Sequence, residues 1–435
     1  MIETFAEAEQ FLYEQLPMFQ RIGGGAYKKD LSNTLKLLSA VNNPHKKGQY
    51  VHIAGTNGKG STASMLASIL METGLQVGLF TSPHLSHFSE RISINGRPIS
   101  EEAILGYVNN FLPLIEDLTP SFFELTTAMA FQYFHDQKVD IAIMEVGMGG
   151  RLDSTNVITP KLSIITQIGL DHQQFLGDTL EEIAMEKAGI IKDNVPVLCS
   201  VKEKSIRTLI AQKANAHNAS FYYPEDNFQL TETDHEDHLF DHYKVNGHQF
   251  GDFDFKTDLK GKYQRQNVST VLGAVALLNQ ANLTISLSAV IKGLGSVRSN
   301  TGLKGRWQYF SDPAAKARII IDGGHNEAAI EAITQMLNAE KFERLHIVFG
   351  CAADKSIEAL LVLLPRQATY YFTQAKGTRA VPAKALFEMA HKYQLKGQHY
   401  DDVKTAFLAA VMNSSKNDLI FVGGSNFVIS ELPGI

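Results

Sequence analysis

The residues whose types and spacing most clearly indicate a chemical function form a glycine-rich turn between an apolar strand and a helix. This stretch, from Val51 to Thr62, has the sequence VHIAGTNGKGST. Its glycines let successive backbone N–H groups point inward, Lys59 supplies a positive charge, and the dipole of the following helix favours an anion. The pattern therefore indicates a site for nucleotide phosphates. The candidate residues are Gly55, Thr56, Asn57, Gly58, Lys59, Gly60, Ser61 and Thr62.

The turn departs from the common phosphate-loop pattern G-x-x-x-x-G-K-[S/T] at two positions. Ile53 stands where the first glycine belongs, and Gly60 separates the lysine from its hydroxyl residues. Taken alone, the turn is also compatible with an ordinary glycine-rich connection that carries an exposed lysine. We expect the following helix to begin at Ser61.

Three polar residues, Ser82, Glu145 and His172, stand at or just after the ends of apolar runs. Because parallel strands share one direction, these ends should lie at the same edge of a sheet as the glycine-rich turn. Mg²⁺ bound to a nucleotide prefers oxygen ligands, and a second divalent ion can accept an imidazole. The three residues are therefore candidate metal ligands, although each could instead bond only to loop backbone.

Lys187 lies in a predicted helix and has small neighbours in Ala188 and Gly189. A lysine on a helix is usually a solvated surface charge. Small neighbours would, however, let the backbone pack closely, and a lysine held near the sheet has a lower pKa and becomes reactive.

The C-terminal part repeats the pattern of polar groups just past a buried strand. In the run IIIDGGHN, Asp322 could accept a hydrogen bond from a ribose hydroxyl, and His325 could face phosphate. The alternative is a tight turn that leads into the next helix. Arg306, beside the single tryptophan, either binds phosphate or caps a domain junction. The acidic and histidine-containing run at 234–242 is typical of a solvated turn, not of a metal site.

The elements that must position these residues alternate between strands and helices, which predicts a doubly wound, mostly parallel α/β sheet. The predicted strands of the first domain are 51–54, 77–80, 139–146 and 162–168, and its helices include 61–73, 122–137, 180–191, 263–280 and 287–294. Aromatic and polar residues alternate over 200–260, which predicts short antiparallel strands at the edge of this domain.

Residues 295–305 are rich in glycine and serine and lack apolar periodicity, so they form the best linker candidate. Beyond them the alternation of strands and helices restarts and predicts a smaller, Rossmann-like α/β domain. Its predicted strands are 318–321, 346–349, 370–373 and 419–422, and its helices are 327–338, 357–364, 383–393 and 403–412. The predicted division is 1–296, a linker at 297–305, and 306–435.

Composition excludes several classes of protein. At 435 residues the chain is too long for one core, and 44% hydrophobic with 20% charged residues is typical of a globular protein. A formal net charge of −6 argues against non-specific nucleic-acid binding. Cys199 and Cys351 fit no disulfide or metal pattern, so we expect a reducing cytoplasm. We find neither a signal peptide nor an apolar run of the ~18 residues that a membrane span needs.

Together these motifs resemble the folylpolyglutamate synthase and dihydrofolate synthase family, a branch of the Mur ligase superfamily. The resemblance covers nearly the whole chain, and Gly60, which interrupts the common phosphate-loop pattern, is part of this family's version of the loop. The most specific matches are His52–Ser61, Thr81–Leu85, Glu90–Ile92, Glu145–Asn156, Ile168–His172, Glu186–Ile190 and Asp322–Asn326.

The resemblance implies a central domain with a phosphate loop, a glutamate ligase domain, and ATP and Mg²⁺ as cofactors. The glycine-rich turn would hold the ATP phosphates, with Lys59 in a catalytic role. Ser82, Glu145 and His172 would coordinate magnesium, and His172 would also be catalytic. Lys187 matches a family lysine that becomes carbamylated, which would turn a catalytic cation into a carboxylate metal ligand. The residues that would hold the nucleotide from the second domain's side are Asn267, Arg306, Asp322 and His325.

The resemblance also implies a folate site, which a loop at 82–97 would close. The residues of this site would be Pro83, Arg91, Phe123, Asp153 and Ser154. Family members often have alanine where this chain has Ser154, which borders the pterin. This departure leaves the balance between dihydropteroate and tetrahydrofolate open.

The implied reaction is ATP-dependent amide formation between L-glutamate and a folate carboxylate, through an acyl phosphate. One alternative is a Mur-type ligase that adds an amino acid to a UDP-muramyl precursor, and another is a non-enzymatic nucleotide switch. The segment 81–85 and Gly60 favour folate, and the motif at 322–326 favours catalysis. We expect a cytoplasmic monomer that binds small molecules but neither nucleic acid nor membrane.

Overall fold

The computed structural model describes residues 1–18, 30–233, 237–353, 356–377 and 379–435. It contains two compact units. The first comprises Met1–Asp258 and Gln264–Leu303, and the second comprises Leu259–Tyr263 and Lys304–Ile435. The short segment from Leu259 to Tyr263 thus belongs to the second unit, although we expected 1–296 to be continuous. The acidic and histidine-containing run falls, at 234–236, partly outside the described residues.

The first unit is built on a mostly parallel sheet with the strand order β4-β3-β2-β5-β1-β6-β7-β8. Strand β3 is antiparallel to both of its neighbours, β2 and β4, and the other pairings are parallel. The strands are β1 (Tyr50–Ala54), β2 (Val77–Phe80), β3 (Ile92–Ile94), β4 (Arg97–Pro98), β5 (Ile141–Glu145), β6 (Leu162–Ile165), β7 (Val197–Cys199) and β8 (Phe221–Tyr222).

Helices cover both faces of this sheet, so all five residues of the central strand β1 are buried. In the helix that follows β1, every residue from Ser61 to Leu70 is buried as well. The helices are α1 (Phe5–Glu14), α2 (Ser32–Ala40), α3 (Lys59–Met71), α4 (Glu101–Leu118), α5 (Phe122–Asp136), α6 (Gln173–Leu176), α7 (Leu180–Lys187), α8 (Lys204–Ala216), α9 (Gln264–Gln280), α10 (Leu287–Gly295) and α11 (Val297–Thr301).

The register of the parallel strands fixes which residues meet at the functional edge. Ile53 of β1 pairs with Glu145 of β5, and Ala54 pairs with Ile165 of β6. Phe80 of β2 pairs with Met144. The carboxyl ends of β1, β2, β5 and β6 therefore lie side by side, as the sequence predicted.

The stretch 200–260 is only partly what the sequence predicted. Its second half forms an antiparallel sheet in the order β11-β10-β9, with β9 at Gln229–Thr233, β10 at Asp241–His248 and β11 at Gly251–Thr257. Its first half contains helix α8, and our expectation of strands there was wrong. Ile206, Ile210 and Ala214 are four residues apart and buried, which is a helical period.

The interval 297–305 is also not a plain linker. Residues Val297–Thr301 form helix α11, in which Val297 is fully buried. The carboxylate of Asp258 accepts hydrogen bonds from the N–H groups of Val297 (3.0 Å) and Arg298 (2.9 Å), which anchors this helix at its first turn. The division into an ATP- and folate-binding domain at 1–296 and a glutamate ligase domain at 306–435 stays a prediction.

The second unit is a smaller α/β unit with the strand order β12-β13-β17-β14-β15-β16, in which only β12 is antiparallel. Its strands are β12 (Gln308–Phe310), β13 (Arg318–Asp322), β14 (Leu345–Phe349), β15 (Thr369–Phe372), β16 (Lys396–His399) and β17 (Leu419–Gly423). Its helices are α12 (Glu327–Ala339), α13 (Ile357–Leu363), α14 (Ala383–Lys392), α15 (Val403–Asn413) and α16 (Asn426–Ser430).

Two mostly parallel sheets with helices agree with the fold class that the sequence predicted. Within the described residues, no helix is long and apolar enough to cross a membrane.

Candidate active site

The glycine-rich turn joins β1 to α3, and its backbone requires glycine at Gly58. This residue has φ +87° and forms the N-cap of α3, so the helix begins at Lys59 and not at Ser61, as we expected. A Cβ at Gly58 would lie 2.3 Å from Oδ1 of Asn267. Ser61 and Thr62 are buried in the first turn, at 3% and 0% exposure.

The segment after β6 holds the turn in place. The N–H of Thr56 donates to the carbonyl of Gln167 (2.6 Å), and the Thr56 hydroxyl exchanges hydrogen bonds of 3.0 Å with the backbone of Gly169. Thr166 donates its hydroxyl to the carbonyl of Asn57 (2.8 Å). Thr56 and Asn57 are thus fixed to the neighbouring strand end, which preorganises the turn.

Two lysines share one carbonyl of this turn. Nζ of Lys59 donates to the carbonyls of Gly55 (3.0 Å) and Thr56 (3.2 Å), and Nζ of Lys187 donates to that of Gly55 (3.1 Å). Lys187 is only 3% exposed. It is therefore not the solvated surface charge that a lysine on a helix usually is. The turn therefore concentrates positive charge beside its backbone.

Burial, and next the nearby charge of Lys59, lowers the pKa of Lys187 to about 7, against the opposing influence of Asp171 and Asp153. An ordinary lysine has a pKa near 10.4 and is almost wholly protonated at neutral pH. A substantial share of Lys187 is thus the free amine, which can act as a nucleophile.

Glu145, the last residue of β5, lies next to the turn and is 4% exposed. Its Oε2 accepts a hydrogen bond from the N–H of Ser82 (3.2 Å) and lies 3.6 Å from the position that a Cβ of Gly60 would occupy. The structure therefore brings together Ser82, Glu145 and the first turn of α3. A buried carboxylate beside a hydroxyl suits a hard divalent cation.

His172 lies just before α6, at φ +51°. Its Nε2 lies 3.8 Å from Oδ2 of Asp171, and its side chain is about a quarter exposed (25%). Within the described residues, no group of three or more His, Cys, Asp or Glu side chains is arranged to hold a metal. The predicted metal set of Ser82, Glu145 and His172 contains only two residues of these types.

Asn267 belongs to the first unit, whereas the sequence interpretation grouped it with the second domain's side. It lies in the first turn of α9, 7% exposed, where its Nδ2 donates to Oε1 of Gln264 (2.7 Å). Gln264 in turn donates through Nε2 to the hydroxyl of Ser61 (3.3 Å) and is fully buried. Two amide side chains therefore link α9 to the glycine-rich turn.

The predicted substrate residues surround the start of α5. Arg91 is 2% exposed, and its guanidinium lies 5.0 Å from the centre of the Phe122 ring. Burial lowers the pKa of Arg91 to about 10, where it remains protonated at neutral pH. Phe123 packs near Phe80, with 5.8 Å between ring centres. Pro83 is exposed.

Asp153 acts mainly on the loop that follows β5. Its carboxylate accepts hydrogen bonds from the N–H groups of Gly147 (2.9 Å), Met148 (2.9 Å) and Thr155 (3.0 Å) and from the Thr155 hydroxyl (2.5 Å). Burial raises its pKa, while these bonds oppose the shift. Ser154, next to it, is 7% exposed.

In the second unit, Asp322 is turned inward. Oδ2 accepts from the Tyr263 hydroxyl (2.5 Å) and the N–H of Trp307 (2.8 Å), and Oδ1 accepts from the N–H of Gly324 (2.8 Å). At 3% exposure, the carboxylate ties together three segments of the unit.

Arg306 and His325 lie near this carboxylate. Nη1 of Arg306 donates to the carbonyl of Gly305 (2.9 Å) and to Oδ1 of Asn426 (3.4 Å), and Nδ1 of His325 lies 3.1 Å from the carbonyl of Gly323. A Cβ at Gly323 would lie 1.8 Å from Oδ1 of Asn426 and 3.1 Å from Nη1 of Arg306. The absence of a side chain at Gly323 thus lets these groups meet.

Sequence reasoning did not select Gln264 and His84 in the first unit or Tyr263 and Asn426 in the second. Gln264 and Tyr263 stand within four positions of Asn267, which was selected, and Asn426 follows a Gly-Gly-Ser run at the end of a predicted strand. Strand-end position was thus a usable signal for Asn426. The partners of the others lie far away in the sequence.

Two family models together match most of the chain. The model of the Mur ligase middle domain matches residues 53–276, and that of the Mur ligase glutamate ligase domain matches residues 305–426. The dihydrofolate synthase/folylpolyglutamate synthase of Bacillus subtilis is 34% identical over 99% of both chains.

Solved structures are similar over nearly the whole chain. The structure of Escherichia coli FolC in complex with DHPP and ADP has a TM-score of 0.83 at 28% identity and covers 98% of this chain and 96% of its own. A bifunctional folylpolyglutamate synthase/dihydrofolate synthase with Mn, AMPPNP and L-glutamate bound has a TM-score of 0.80 at 26% identity, covering 98% and 97%. This chain therefore belongs to the folylpolyglutamate synthase and dihydrofolate synthase family of the Mur ligases.

Proposed function

We propose that this chain joins L-glutamate to a carboxylate of a folate, with ATP as the energy source. One observation supports this most strongly. The glycine-rich turn places Lys59 and Lys187 on the same carbonyl, beside the buried Glu145, in a chain that belongs to the folate ligase family. The relatives whose structures hold ADP, AMPPNP or L-glutamate support the same reaction class.

The reaction proceeds in two steps. A folate carboxylate oxygen attacks the γ-phosphorus of ATP, the bond to the β,γ-bridging oxygen breaks, and ADP leaves. The amino group of L-glutamate then attacks the acyl carbon, loses a proton and displaces inorganic phosphate. Carboxylate and triphosphate are both anionic, so the first step needs positive charge at the γ-phosphate. Lys59 supplies it, and the N–H groups of the turn orient the phosphates.

Ser82, Glu145 and His172 are the residues that would hold Mg²⁺, which neutralises charge on the triphosphate when bound. The two oxygen donors suit a hard divalent cation that keeps several waters, and the imidazole suits a second divalent ion. We also assign His172 a catalytic role, in addition to its role as a metal ligand. As a carbamate, formed when the amine of Lys187 adds to CO₂ and loses a proton, Lys187 would add a carboxylate ligand. The lowered pKa of this lysine supports that reaction, which requires the free amine.

The nucleotide assignments divide between the units. In the first unit, the turn from Gly55 to Thr62 binds the phosphates and Asn267 supports Gly58. In the second unit, Arg306 and His325 bind the nucleotide directly. Asp322 is assigned to the same nucleotide site, where its three backbone and side-chain donors make it chiefly an organiser of the segment at 322–326.

The folate site includes Pro83, Arg91, Phe123, Asp153 and Ser154. Phe123 offers a ring for stacking against a flat heterocycle, and Asp153 fixes the loop that carries Ser154. The hydroxyl at Ser154 is the feature that bears on the choice between dihydropteroate and tetrahydrofolate.

Phosphate release from ATP tests the proposal. The purified protein is assayed with dihydropteroate, tetrahydrofolate or a UDP-muramyl precursor, each with and without L-glutamate. We expect release that needs both a folate and L-glutamate, with a product heavier by one glutamate in mass spectrometry. Release with the muramyl precursor alone would favour the Mur-type alternative, and nucleotide binding without any amide product would favour a nucleotide switch.

The remaining expectations concern the state of the protein. A monomer without nucleic-acid partners, located in the cytoplasm, stays a prediction from the sequence. Light scattering during size-exclusion chromatography tests the first of these, with a mass near 48.1 kDa as the expected result. A mass of twice that value would overturn it.

A further inference from the structure

A polar cluster near the predicted folate residues has no assigned role for two of its three members. Tyr13 lies in α1, His84 lies in the loop after β2, and Arg91 ends the short 3-10 turn before β3. All three belong to the first unit. We call them the Arg91 trio.

Hydrogen bonding fixes the tautomer of the imidazole in this trio. Nε of Arg91 lies 2.7 Å from Nδ1 of His84, and a guanidinium nitrogen can only donate. Nδ1 must therefore carry the lone pair, and Nε2 must carry the proton. Nε2 lies 3.4 Å from the Tyr13 hydroxyl, so the histidine donates and the tyrosine oxygen accepts. The hydroxyl proton of Tyr13 is consequently available to another acceptor.

The guanidinium of Arg91 contacts one aromatic ring and one imidazole. The ring of Phe122 lies beneath it, and the same ring stacks on Tyr13 with 5.9 Å between ring centres. Arg91 is 2% exposed, yet within the described residues its hydrogen bond to His84 is the only one it makes, and no carboxylate pairs with it. A buried cation without a paired anion is costly unless a ligand supplies the acceptors.

The nearest acids are already engaged elsewhere. The carboxylate of Glu90 accepts the N–H groups of Leu85 (2.7 Å), Ser86 (3.1 Å) and His87 (3.0 Å), and so shapes the loop that carries His84. Glu145 accepts the N–H of Ser82, and its charge acts on Arg91 without an ion pair.

We propose that the Arg91 trio binds a carboxylate of the folate substrate, with Arg91 and Tyr13 as donors and His84 as the residue that positions Arg91. This inference depends on the proposed function. The planar guanidinium suits a carboxylate, since its terminal N–H groups form parallel hydrogen bonds to both oxygens. His84 touches no substrate and acts by holding Nε of Arg91.

The carboxylate has two chemical sources. Dihydropteroate carries one carboxylate, which is the group that reacts. A folate that already bears glutamate also carries an α-carboxylate that does not react. The two sources predict different substrate dependence when the trio is altered.

Steady-state kinetics with both substrates distinguish these sources. The variants are Arg91→Gln, Tyr13→Phe, His84→Leu and His84→Asn, of which the last keeps an acceptor oxygen near the position of Nδ1. Matched controls are Tyr107→Phe, whose hydroxyl donates to Asp136 (2.9 Å), and His135→Leu on the exposed face of α5. Thermal unfolding checks that each variant folds.

We expect Arg91→Gln and His84→Leu to raise the KM for the folate substrate about 10-fold to 100-fold, as for loss of a hydrogen bond to a charged group, with the KM for ATP unchanged. His84→Asn should restore most of the loss, and Tyr13→Phe should raise the KM about 5-fold. An increase confined to tetrahydrofolate identifies the α-carboxylate, and an increase with both substrates identifies the reacting one.

Two outcomes would overturn the inference. One is an unchanged folate KM in Tyr13→Phe and in a folded Arg91→Gln, and the other is a loss in His84→Asn as large as in His84→Leu. In both cases wild-type phosphate release that depends on folate and glutamate would leave the proposed function standing. Its absence in the wild type would remove the proposed function itself.

Discussion

The segment after β1 and the segment after β13 are both glycine-rich and both follow a buried parallel strand, yet they hold opposite charges. In the first, the carbonyls of Gly55 and Thr56 accept hydrogen bonds from two lysines. In the second, the N–H of Gly324 donates to the carboxylate of Asp322, which also accepts the N–H of Trp307 from the segment before β12. The first segment thus gathers two cations at its carbonyls, whereas the second holds an anion inside the unit.

This difference shows why a strand end with glycines is not by itself a phosphate site. Backbone N–H groups that already donate to an internal carboxylate, as at Gly324 and Trp307, are not available to an external anion. We therefore expect the second segment to contact phosphate through the side chains of Arg306 and His325. On this interpretation, side-chain charge determines which glycine-rich strand end binds phosphate with its backbone.

Removal of Lys59 tests the first half of this comparison and has the largest expected effect. Lys59→Ala deletes the cation that neutralises the γ-phosphate, so we expect glutamate-dependent phosphate release to fall at least ~10²-fold, as for one preorganised electrostatic donor. Lys204→Ala, at an exposed position in the first turn of α8, is the matched control. Near-normal turnover in Lys59→Ala would contradict the assignment of the turn.

Asp322→Asn tests the second half. The side-chain amide of asparagine can accept hydrogen bonds through its oxygen only. Its NH₂ group therefore faces either the N–H of Gly324 or the two donors Tyr263 and Trp307, which then lose their acceptor. We expect the free energy of unfolding of the second unit to fall by about 2 kcal/mol, the cost of a buried donor left without an acceptor. Urea unfolding followed by the fluorescence of Trp307, the only tryptophan, measures it.

Asp312→Asn is the control for this change, because Asp312 is half-buried and its carboxylate, within the described residues, accepts only the N–H of Ala314 (2.8 Å). A different result would revise the comparison. If Asp322→Asn left the unfolding transition unchanged but raised the KM for ATP more than about 10-fold, the role of Asp322 would be a direct hydrogen bond to the nucleotide. The second segment would then resemble the first in serving the ligand.

The sequence predicted the sheet and the edge at which the site forms, because both follow from local patterns. Apolar runs of four or five residues marked β1, β5 and β13, and parallel direction alone placed Ser82 beside Glu145. Lys59 and Lys187 both donate to the carbonyl of Gly55, but Lys187 was selected through the family resemblance, and the roles of both residues stay predictions. Helix α8 was missed although its period was present, since the whole stretch 200–260 was interpreted as one kind of structure.

Other features could not be predicted because they depend on partners that are distant in the sequence. Asp322 is turned inward by Tyr263, which precedes it by 59 positions. Lys187 is buried only because the carbonyl of Gly55, 132 positions earlier, lies at the end of a neighbouring strand. Gln264 contacts Ser61 across 203 positions. Composition and period describe each of these residues as ordinary surface or core positions.

Gly58→Ala sharpens the comparison within the first segment and has the smallest expected effect. A side chain at φ +87° costs about 1–2 kcal/mol, and the new Cβ would press on Oδ1 of Asn267. Asn267 can give way only by disturbing its bond to Gln264 (2.7 Å), which in turn contacts Ser61. We expect the KM for ATP to rise about 5-fold to 30-fold while the KM for folate changes little.

Gly106→Ala provides the matched control, because a Cβ there meets no atom within 4 Å and the residue lies inside helix α4. Alanine should stabilise that helix by about 0.5–1 kcal/mol and leave the kinetics unchanged. If Gly58→Ala shifted only the unfolding transition and not the KM for ATP, the left-handed conformation of Gly58 would stabilise the start of helix α3 and have no role in ATP binding. The phosphate role of the turn would then rest on Lys59 and the N–H groups after it, and the two glycine-rich segments would differ in side-chain charge alone.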